Sequence, residues 1–320
     1  MEILKLKPAT KDYLWGGRRL ADEYHKITDQ AKLAETWELS VHKDGNSIIT
    51  NGPYENRPLG EYMKEHEKSI WGTKAQNAPD FPILIKFIDA KQALSIQVHP
   101  DDEYARKVEG ESGKNEFWYV LEAQPDAFLY YGVKKSMTKD EFRSHIEDDT
   151  VCDYLKKVPV KKGDCFFIEA GTIHAIGAGI VICEIQQSSN STYRVYDFGR
   201  KGVDGKPREL HIDKAVDVAN LVPNAKKGEA EGHLKVHATY DSQVLTQNNF
   251  FTCTRIDVQS AYEDAVNLES FQALTILEGR GLLTADGKNI TIRKGDSIFI
   301  PAQNGQYHIS GDLSFIKTTL

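Results

Sequence analysis

Residues 94–100, Leu94-Ser95-Ile96-Gln97-Val98-His99-Pro100, alternate between apolar and polar side chains. A β-strand has a side-chain period of two, so Leu94, Ile96 and Val98 share one face and Ser95, Gln97 and His99 share the other. The wet face of a surface strand usually carries Lys, Glu and Thr. A Ser-Gln-His row followed by Pro100-Asp101-Asp102 reads instead as the wall of a pocket. Pro100 cannot serve as a central ladder partner, so the strand stops there and His99 stands at its end. That is a place where a ligand site is both rigid and open.

A second strand, Lys114 to Leu121, follows the same logic. Lys114, Glu116 and Trp118 fall on one face, and Phe117, Tyr119 and Leu121 on the other. A third piece, Gly171-Thr172-Ile173-His174-Ala175, is a Gly-led turn into a short apolar run. His99, Glu116 and His174 thus sit on segments that read as neighbouring strands. Imidazole and carboxylate are the usual ligands of catalytic zinc, with one position left for water or substrate. Taken singly, each has a plainer reading: a strand-end His is more often a hydrogen-bonded structural residue, and a lone strand Glu is more often solvated. Their joint occurrence carries the metal inference.

The rest of the composition narrows the field. The chain has 320 residues, enough for two domains, with 40% hydrophobic and 27% charged residues, an ordinary globular balance. A net charge of −7 argues against nucleic acid as a partner. It leaves room for an anionic small molecule held in a local basic pocket. The cysteines Cys152, Cys165, Cys183 and Cys253 are scattered without a CxxC pair, which points to free thiols in a reducing compartment. The stretch Met1 to Pro8 is too short and too charged for a signal peptide. No apolar run reaches the roughly 18–20 residues that span a bilayer. A cytoplasmic protein, without membrane contact and either monomeric or weakly homo-oligomeric, is the expectation.

Along the chain, short strand-like pieces occupy residues 1–60, among them Ala34 to His42, with Trp15-Gly16-Gly17-Arg18 as a turn around an aromatic anchor. Residues 58–70 read as a helix with a solvated charged face. Phe81 to Ala90 is a nearly apolar, buried strand leading into the organising stretch. After the Lys114 strand, a hairpin into Ala127 to Gly132 is expected. Thr138-Lys139-Asp140-Glu141 is a capping-box pattern opening a helical insertion over about 136–158. Strands return at Val158 to Val160, Asp164 to Ile168, Ile180 to Gln186 and Tyr193 to Phe198, and a helix covers about 210–220. Residues 222–232 are polar and read as a linker. Two parts follow: 1–232, holding the metal set, the N-terminal strands and the helical insertion, and 233–320, an all-β part without metal.

The two β regions repeat a pattern. Lys162-Gly163-Asp164-Cys165-Phe166-Phe167-Ile168 matches Lys294-Gly295-Asp296-Ser297-Ile298-Phe299-Ile300. Aligning Gly163 with Gly295 sets His174 opposite Gln306. Aligning Val120-Leu121-Glu122 with Ile276-Leu277-Glu278 sets Glu116 opposite Gln272. The second copy keeps the frame and exchanges suspected ligands for neutral amides.

Gly163 and, after five intervening residues, Glu169-Ala170-Gly171-Thr172-Ile173-His174 resemble the second motif of cupins, with Glu169 where proline is usual. The combination of Leu94 to Asp101, Gly113-Lys114-Asn115-Glu116, Gly171 to Ala175 and Tyr193-Arg194-Val195-Tyr196-Asp197 resembles the type I mannose-6-phosphate isomerases, in their short bacterial form. Trp15-Gly16-Gly17 and Glu35-Thr36-Trp37-Glu38 extend the similarity toward the N-terminus. The resemblance implies a mainly β fold of two cupin-type jelly-roll β-barrels with a small helical insertion. It implies one zinc ion per chain, bound by Gln97, His99, Glu116 and His174. Gln97 enters by resemblance alone, since amide oxygen is an uncommon zinc ligand.

The implied reaction interconverts mannose 6-phosphate and fructose 6-phosphate through a cis-enediolate. It needs a Lewis acid, an open coordination position and a base of suitable pKa. Arg194 matches the family's essential arginine and suits the phosphate or an enediolate oxygen. Lys114, on the face of Glu116, suits the phosphate or the sugar hydroxyls. Glu184 is a candidate base, its plainer role being a carboxylate paired with Arg194 or Lys114. Ser95 is a candidate phosphate contact, its plainer role a hydroxyl satisfied by backbone. Arg18 and Arg200 read as surface charges. Two other readings stay open: another metal-dependent cupin enzyme such as an iron dioxygenase, and a sugar-phosphate-binding cupin without turnover.

Overall fold

The organising stretch folds as the strand Ile96–Val98, with His99 just past its end. The computed structural model describes residues 2–202, 205–224 and 228–320, so Ala225, Lys226 and Lys227 of the expected linker lie outside the described residues. Ile96–Val98 lies in a five-stranded sheet whose order is Leu155–Pro159, Phe128–Val133, His174–Ile176, Ile96–Val98, Tyr193–Tyr196. A six-stranded sheet faces it, ordered Cys165–Ile168, Glu116–Ala123, Ile180–Gln187, Ile83–Ala90, Glu35–Leu39, Ala9–Lys11. Every pairing in both sheets is antiparallel. Trp118, Val120, Ile88 and Ile182 from one sheet close against Leu129, Tyr131 and Ile176 from the other. The period-two reading of the Lys114–Leu121 stretch holds, because Phe117, Tyr119 and Leu121 join a different core on the outer side.

The expected hairpin after Leu121 is not formed. Phe128–Val133 pairs with Leu155–Pro159 and His174–Ile176, in the opposite sheet. The turn at 124–127, with Asp126 at positive φ, carries the chain across the sandwich. Apolar alternation cannot tell a hairpin from such a crossing, since either one buries the same inward face.

The helical insertion consists of Lys139–Glu147 and Val151–Tyr154 and gives way to strand at Leu155. Its capping box forms, with Thr138 and Glu141 each accepting from the other's backbone N–H. Phe142, Ile146 and, from the helix Ile212–Val218, Val216 cover the outer face of the five-stranded sheet. The six-stranded sheet's outer face packs instead on Phe251, Phe271, Phe299 and Ile316 of the C-terminal region.

That region is built around a ten-stranded sheet with its own apolar core, including Leu274, Ile276, Ile298, Ile309 and Phe315. The chain's first strand, Leu4–Lys7, also lies in this sheet, pairing with Ser297–Ile300. The internal repeat is exact in register. Cys165 pairs with Tyr119 and Ile168 with Glu116, while Ser297 pairs with Thr275 and Ile300 with Gln272. The turns also match. Gly163 and Gly295 have φ of +93° and +87°, conformations that glycine adopts without a Cβ penalty. Asp164 accepts from Lys161 N at 2.9 Å, and Asp296 from Arg293 N at 2.8 Å. The fold is mainly β, with two jelly-roll units. Among the described residues no helix is long and apolar enough to cross a membrane.

Candidate active site

Sheet register places two polar rows opposite each other. In the five-stranded sheet His174 pairs with Gln97, and Gln97 with Arg194. In the six-stranded sheet Trp118 pairs with Glu184, and Glu184 with Lys86. Between the rows is a cavity of about 240 Å³, lined by Gln97, Lys114, Lys86, Glu184, Ser95, Arg194 and Arg208, with Tyr13 and Trp15 at one side. Its size suits one small molecule rather than a polymer.

His99, Glu116 and His174 lie directly behind Gln97 and Lys114. They are 0–1% exposed, and one ligand atom from each falls within 4.8 Å of the others. The sequence placed them on neighbouring strands. The structure brings His99 and His174 from adjacent strands, but Glu116 from the facing sheet. His99 Nδ1 is 2.9 Å from the Ser191 carbonyl and His174 Nδ1 is 2.8 Å from the Thr172 carbonyl. A carbonyl can only accept, so both Nδ1 atoms carry the proton and both Nε2 atoms present lone pairs inward. These lone pairs approach Glu116, at 3.2 Å to Oε1 from His99 and 3.7 Å to Oε2 from His174. Glu116 Oε1 is buried without a well-formed hydrogen bond. Gln97 Nε2 is 3.4 Å from His174 Nε2. Rotating the amide by half a turn presents its oxygen instead, an assignment that ring and amide geometry permit. Two imidazole lone pairs, one carboxylate and one amide oxygen, oriented by backbone carbonyls, make a donor set that fits a divalent cation such as zinc.

Electrostatics separate the two carboxylates. Burial opposes the ionisation of Glu116, but the Lys114 ammonium outweighs it and holds its pKa well below the usual range. Lys114 Nζ is 2.8 Å from Glu116 Oε1. Burial first, and then Lys114, pushes His99 down to about 3, so the imidazole is neutral. Glu184 goes the other way: burial and then the nearby Glu116 raise it to about 7. The Trp118 indole N–H bridges them, 3.1 Å from Glu116 Oε2 and 2.8 Å from Glu184 Oε2.

Glu184 pairs with neither Arg194 nor Lys114. Its partner is Lys86, at 3.2 Å, which also lies 3.9 Å from Glu35. Sequence reading passed over Lys86 and Glu35. The available signal was the one lysine in the apolar run Ile83 to Ala90: a buried lysine requires a carboxylate partner. Arg208 was also missed. Asp197 holds it in a bidentate pair, at 2.7 and 2.6 Å, and holds Arg200 as well. Arg200 is therefore part of a half-buried cluster with Asp197 and the cavity-lining Arg208, whereas Arg18 is half exposed and pairs loosely with Asp22, as a surface charge would. Arg194 donates through Nη1 to the Glu209 carbonyl at 2.7 Å and keeps a buried Nε without a partner. Ser95 is buried at the cavity wall.

Comparison with known proteins bears on this geometry. A family model described as the catalytic domain of type I phosphomannose isomerase matches residues 3–126, and one described as the cupin domain of mannose-6-phosphate isomerase matches residues 241–320. The mannose-6-phosphate isomerase of Streptococcus mutans serotype c is 36% identical over 99% of this chain and 98% of its own length. A mannose-6-phosphate isomerase of Bacillus subtilis is 36% identical over 97% of this chain and 96% of its own. The crystal structure of the mannose 6-phosphate isomerase from Bacillus subtilis superposes over the whole of both chains with a TM-score of 0.92 at 33% identity.

Proposed function

Since this chain belongs to the type I mannose-6-phosphate isomerase family, we propose that it interconverts mannose 6-phosphate and fructose 6-phosphate with one zinc ion per chain. The observation that carries this reading is the buried His99, Glu116 and His174 cluster, set behind Gln97 and Lys114 of a cavity that Arg194, the ladder neighbour of Gln97, and Arg208 also line. A metal donor set and two guanidinium groups beside one cavity of about 240 Å³ suit a ligand that carries both hydroxyls and a phosphate.

His99, Glu116, His174 and Gln97 would hold the zinc, which supplies Lewis-acid stabilisation of negative charge on the sugar oxygens at C1 and C2. Glu184 moves the proton between C2 and C1. It begins as carboxylate, takes the proton from one carbon as the enediolate forms, and returns it to the other. A pKa near 7 suits both halves of that task. Trp118 aims the carboxylate, and Lys86 stabilises its charged form. Arg194, with its free Nε, and Arg208 bind the phosphate, with Ser95 as a further donor. Lys114 serves the sugar hydroxyls nearest Glu116.

The reading divides the chain at 232/233, into a metal-binding part and a C-terminal part without metal, each with its own core. It also places the enzyme in a reducing cytoplasm, where Cys165, Cys183 and Cys253 remain buried free thiols.

The test is conversion of mannose 6-phosphate by purified protein before and after chelation. Activity should vanish with the chelator and return with added zinc. Absence of conversion by fully metallated protein would reject the isomerase reading in favour of a sugar-phosphate-binding cupin.

A further inference from the structure

Asn115 sits between Lys114 and Glu116, at the start of a strand, with 6% exposure. Asparagine is disfavoured in strands, and burying an amide is costly unless its hydrogen bonds are made. Here they are made, and their partners are informative. Asn115 Nδ2 donates to Gln187 Oε1 at 2.7 Å, and the Asn115 backbone N–H donates to the same oxygen at 3.0 Å. Asn115 Oδ1 accepts from Ala170 N at 2.9 Å. Gln187, also 6% exposed, extends the chain of bonds by donating Nε2 to Asp102 Oδ1 at 3.1 Å. Asp102 Oδ1 closes the circuit by accepting from Gly113 N at 2.8 Å.

Each endpoint belongs to a segment that carries one ligand. Asn115 precedes Glu116. Ala170 lies in the turn that leads to His174. Asp102 opens the helix that follows His99-Pro100-Asp101. Two backbone bonds tie the same segments edge to edge: Gly171 N to His99 O at 2.8 Å and Lys114 N to Pro100 O at 3.0 Å. Glu116 belongs to one sheet and the two histidines to the other, so no ladder fixes its distance to them. The amide pair supplies side-chain ties across that gap. Neither Asn115 nor Gln187 lines the cavity.

We propose that the buried amide pair Asn115–Gln187, with Asp102 at its end, is a positioning device that sets the spacing of His99, Glu116 and His174, and so the zinc affinity and kcat, without touching substrate. It rests on the zinc reading above. Loosening groups that orient ligands typically weakens metal binding by about 10–100-fold, which sets the scale.

The experiment uses full-length, metal-depleted protein and measures zinc Kd by competition with a chromophoric chelator, the Tm of the metal-free form, and kcat and KM after zinc saturation. Asn115→Ala should raise the zinc Kd about tenfold or more and lower kcat, with KM unchanged. Gln187→Ala should do the same, and the double variant should be no worse than the weaker single, because the two act as one unit. Where Asn115→Ala does not fold, Asp102→Ala, at a side chain 35% exposed, cuts the two bonds from Gln187 and Gly113 that hold the His99 side and should still raise Kd several-fold. A folded variant with zinc Kd within about twofold of wild type would overturn the proposal. So would a loss of affinity matched by an equal loss of metal-free stability, which is what a purely structural contact gives. Wild-type protein that takes up no zinc would overturn the metal reading instead, so the two failures are distinguishable.

Discussion

The two jelly-roll units share one frame and treat their polar interiors in opposite ways. In the first, inward positions carry two imidazole lone pairs and a carboxylate that face one another, and Glu116 Oε1 lacks a good hydrogen bond. In the second, the equivalent positions complete one another. Gln272, opposite Glu116 in the repeat, accepts from Tyr307 at 2.7 Å and donates to Asp264 at 3.2 Å. Lys317 pairs with Leu274 in the ladder as Glu184 pairs with Trp118, and it forms an ion pair with Asp264. Tyr262 donates to Asp264 as well, at 2.8 Å. The first copy keeps two imidazole lone pairs turned on a carboxylate that already has Lys114, whereas the second pairs its carboxylate with Lys317 and holds no imidazole at the matching positions. The same β frame therefore yields a site where imidazole lone pairs converge on a carboxylate, and a second interior where Asp264, Gln272, Tyr307 and Lys317 bond one another.

Removing a ligand breaks the contrast most sharply. His174→Ala should lose zinc and lower activity by roughly 10³-fold or more, since metal stabilisation of transition-state charge amounts to several kcal/mol. Gln306→Ala, at the exposed counterpart in the second copy, should leave both unchanged. Zinc content by elemental analysis and a coupled isomerase assay on both proteins would check this. A metal-free His174→Ala protein with wild-type turnover would remove the distinction between the copies.

Much of this contrast was legible in the sequence. The alternation in Ile96 to His99 and Lys114 to Leu121 fixed which side chains face inward; Leu94, expected on the face of Ile96 and Val98, precedes the strand and turns instead into the inter-sheet core and the cavity wall. The Lys-Gly-Asp turns fixed the duplication, because a left-handed glycine followed by an aspartate that accepts backbone N–H groups leaves a readable pattern. The helical insertion followed from its capping box. Long-range pairing was not legible. Nothing local marks that Phe128–Val133 crosses to the opposite sheet, or that Leu4–Lys7 joins a sheet formed by the end of the chain. The same limit hid Lys86. Its neighbours in sequence are apolar, and its partners Glu35 and Glu184 meet it only across the ladders.

The carboxylates of the first unit offer the next test. Glu184→Gln keeps size and the Trp118 bond but removes the base, and should lower kcat by about 10²–10⁴-fold with zinc retained. The pH profile sharpens the point. Burial and Glu116 raise Glu184 to about 7, so the basic form is lost as pH falls through that value, and kcat should fall with it. A cation at Glu116 offsets part of the raising charge, which places the limb at or below that pH. Zinc-loaded wild type should show this acid limb, and residual turnover of Glu184→Gln should not. An unchanged limb in the variant would assign the proton to another group.

The smallest expected effect falls in the second unit, and it concerns stability rather than catalysis. Lys317 and Asp264 have side chains 20% and 25% exposed, so their pairing is partly screened and weaker than that of a fully buried pair. Lys317→Met removes the cation, keeps apolar bulk, and leaves Asp264 with donors that include Tyr262, Gln272 and the Ala265 backbone N–H. About 1–2 kcal/mol of unfolding free energy should be lost at neutral pH, with kcat unaffected. The sign with pH follows from Asp264. Burial opposes its charge, but Lys317 and the hydrogen bonds lower its folded pKa below the unfolded value. Its contribution is therefore complete above the unfolded value of about 3.9 and fades as pH falls through the lower, folded one. Wild type and variant should converge in stability as the carboxylate protonates. Denaturant unfolding at neutral and acid pH measures the gap directly. A gap that persists unchanged at acid pH would mean that Lys317 acts through packing, and that the second unit is held by shape rather than by charge.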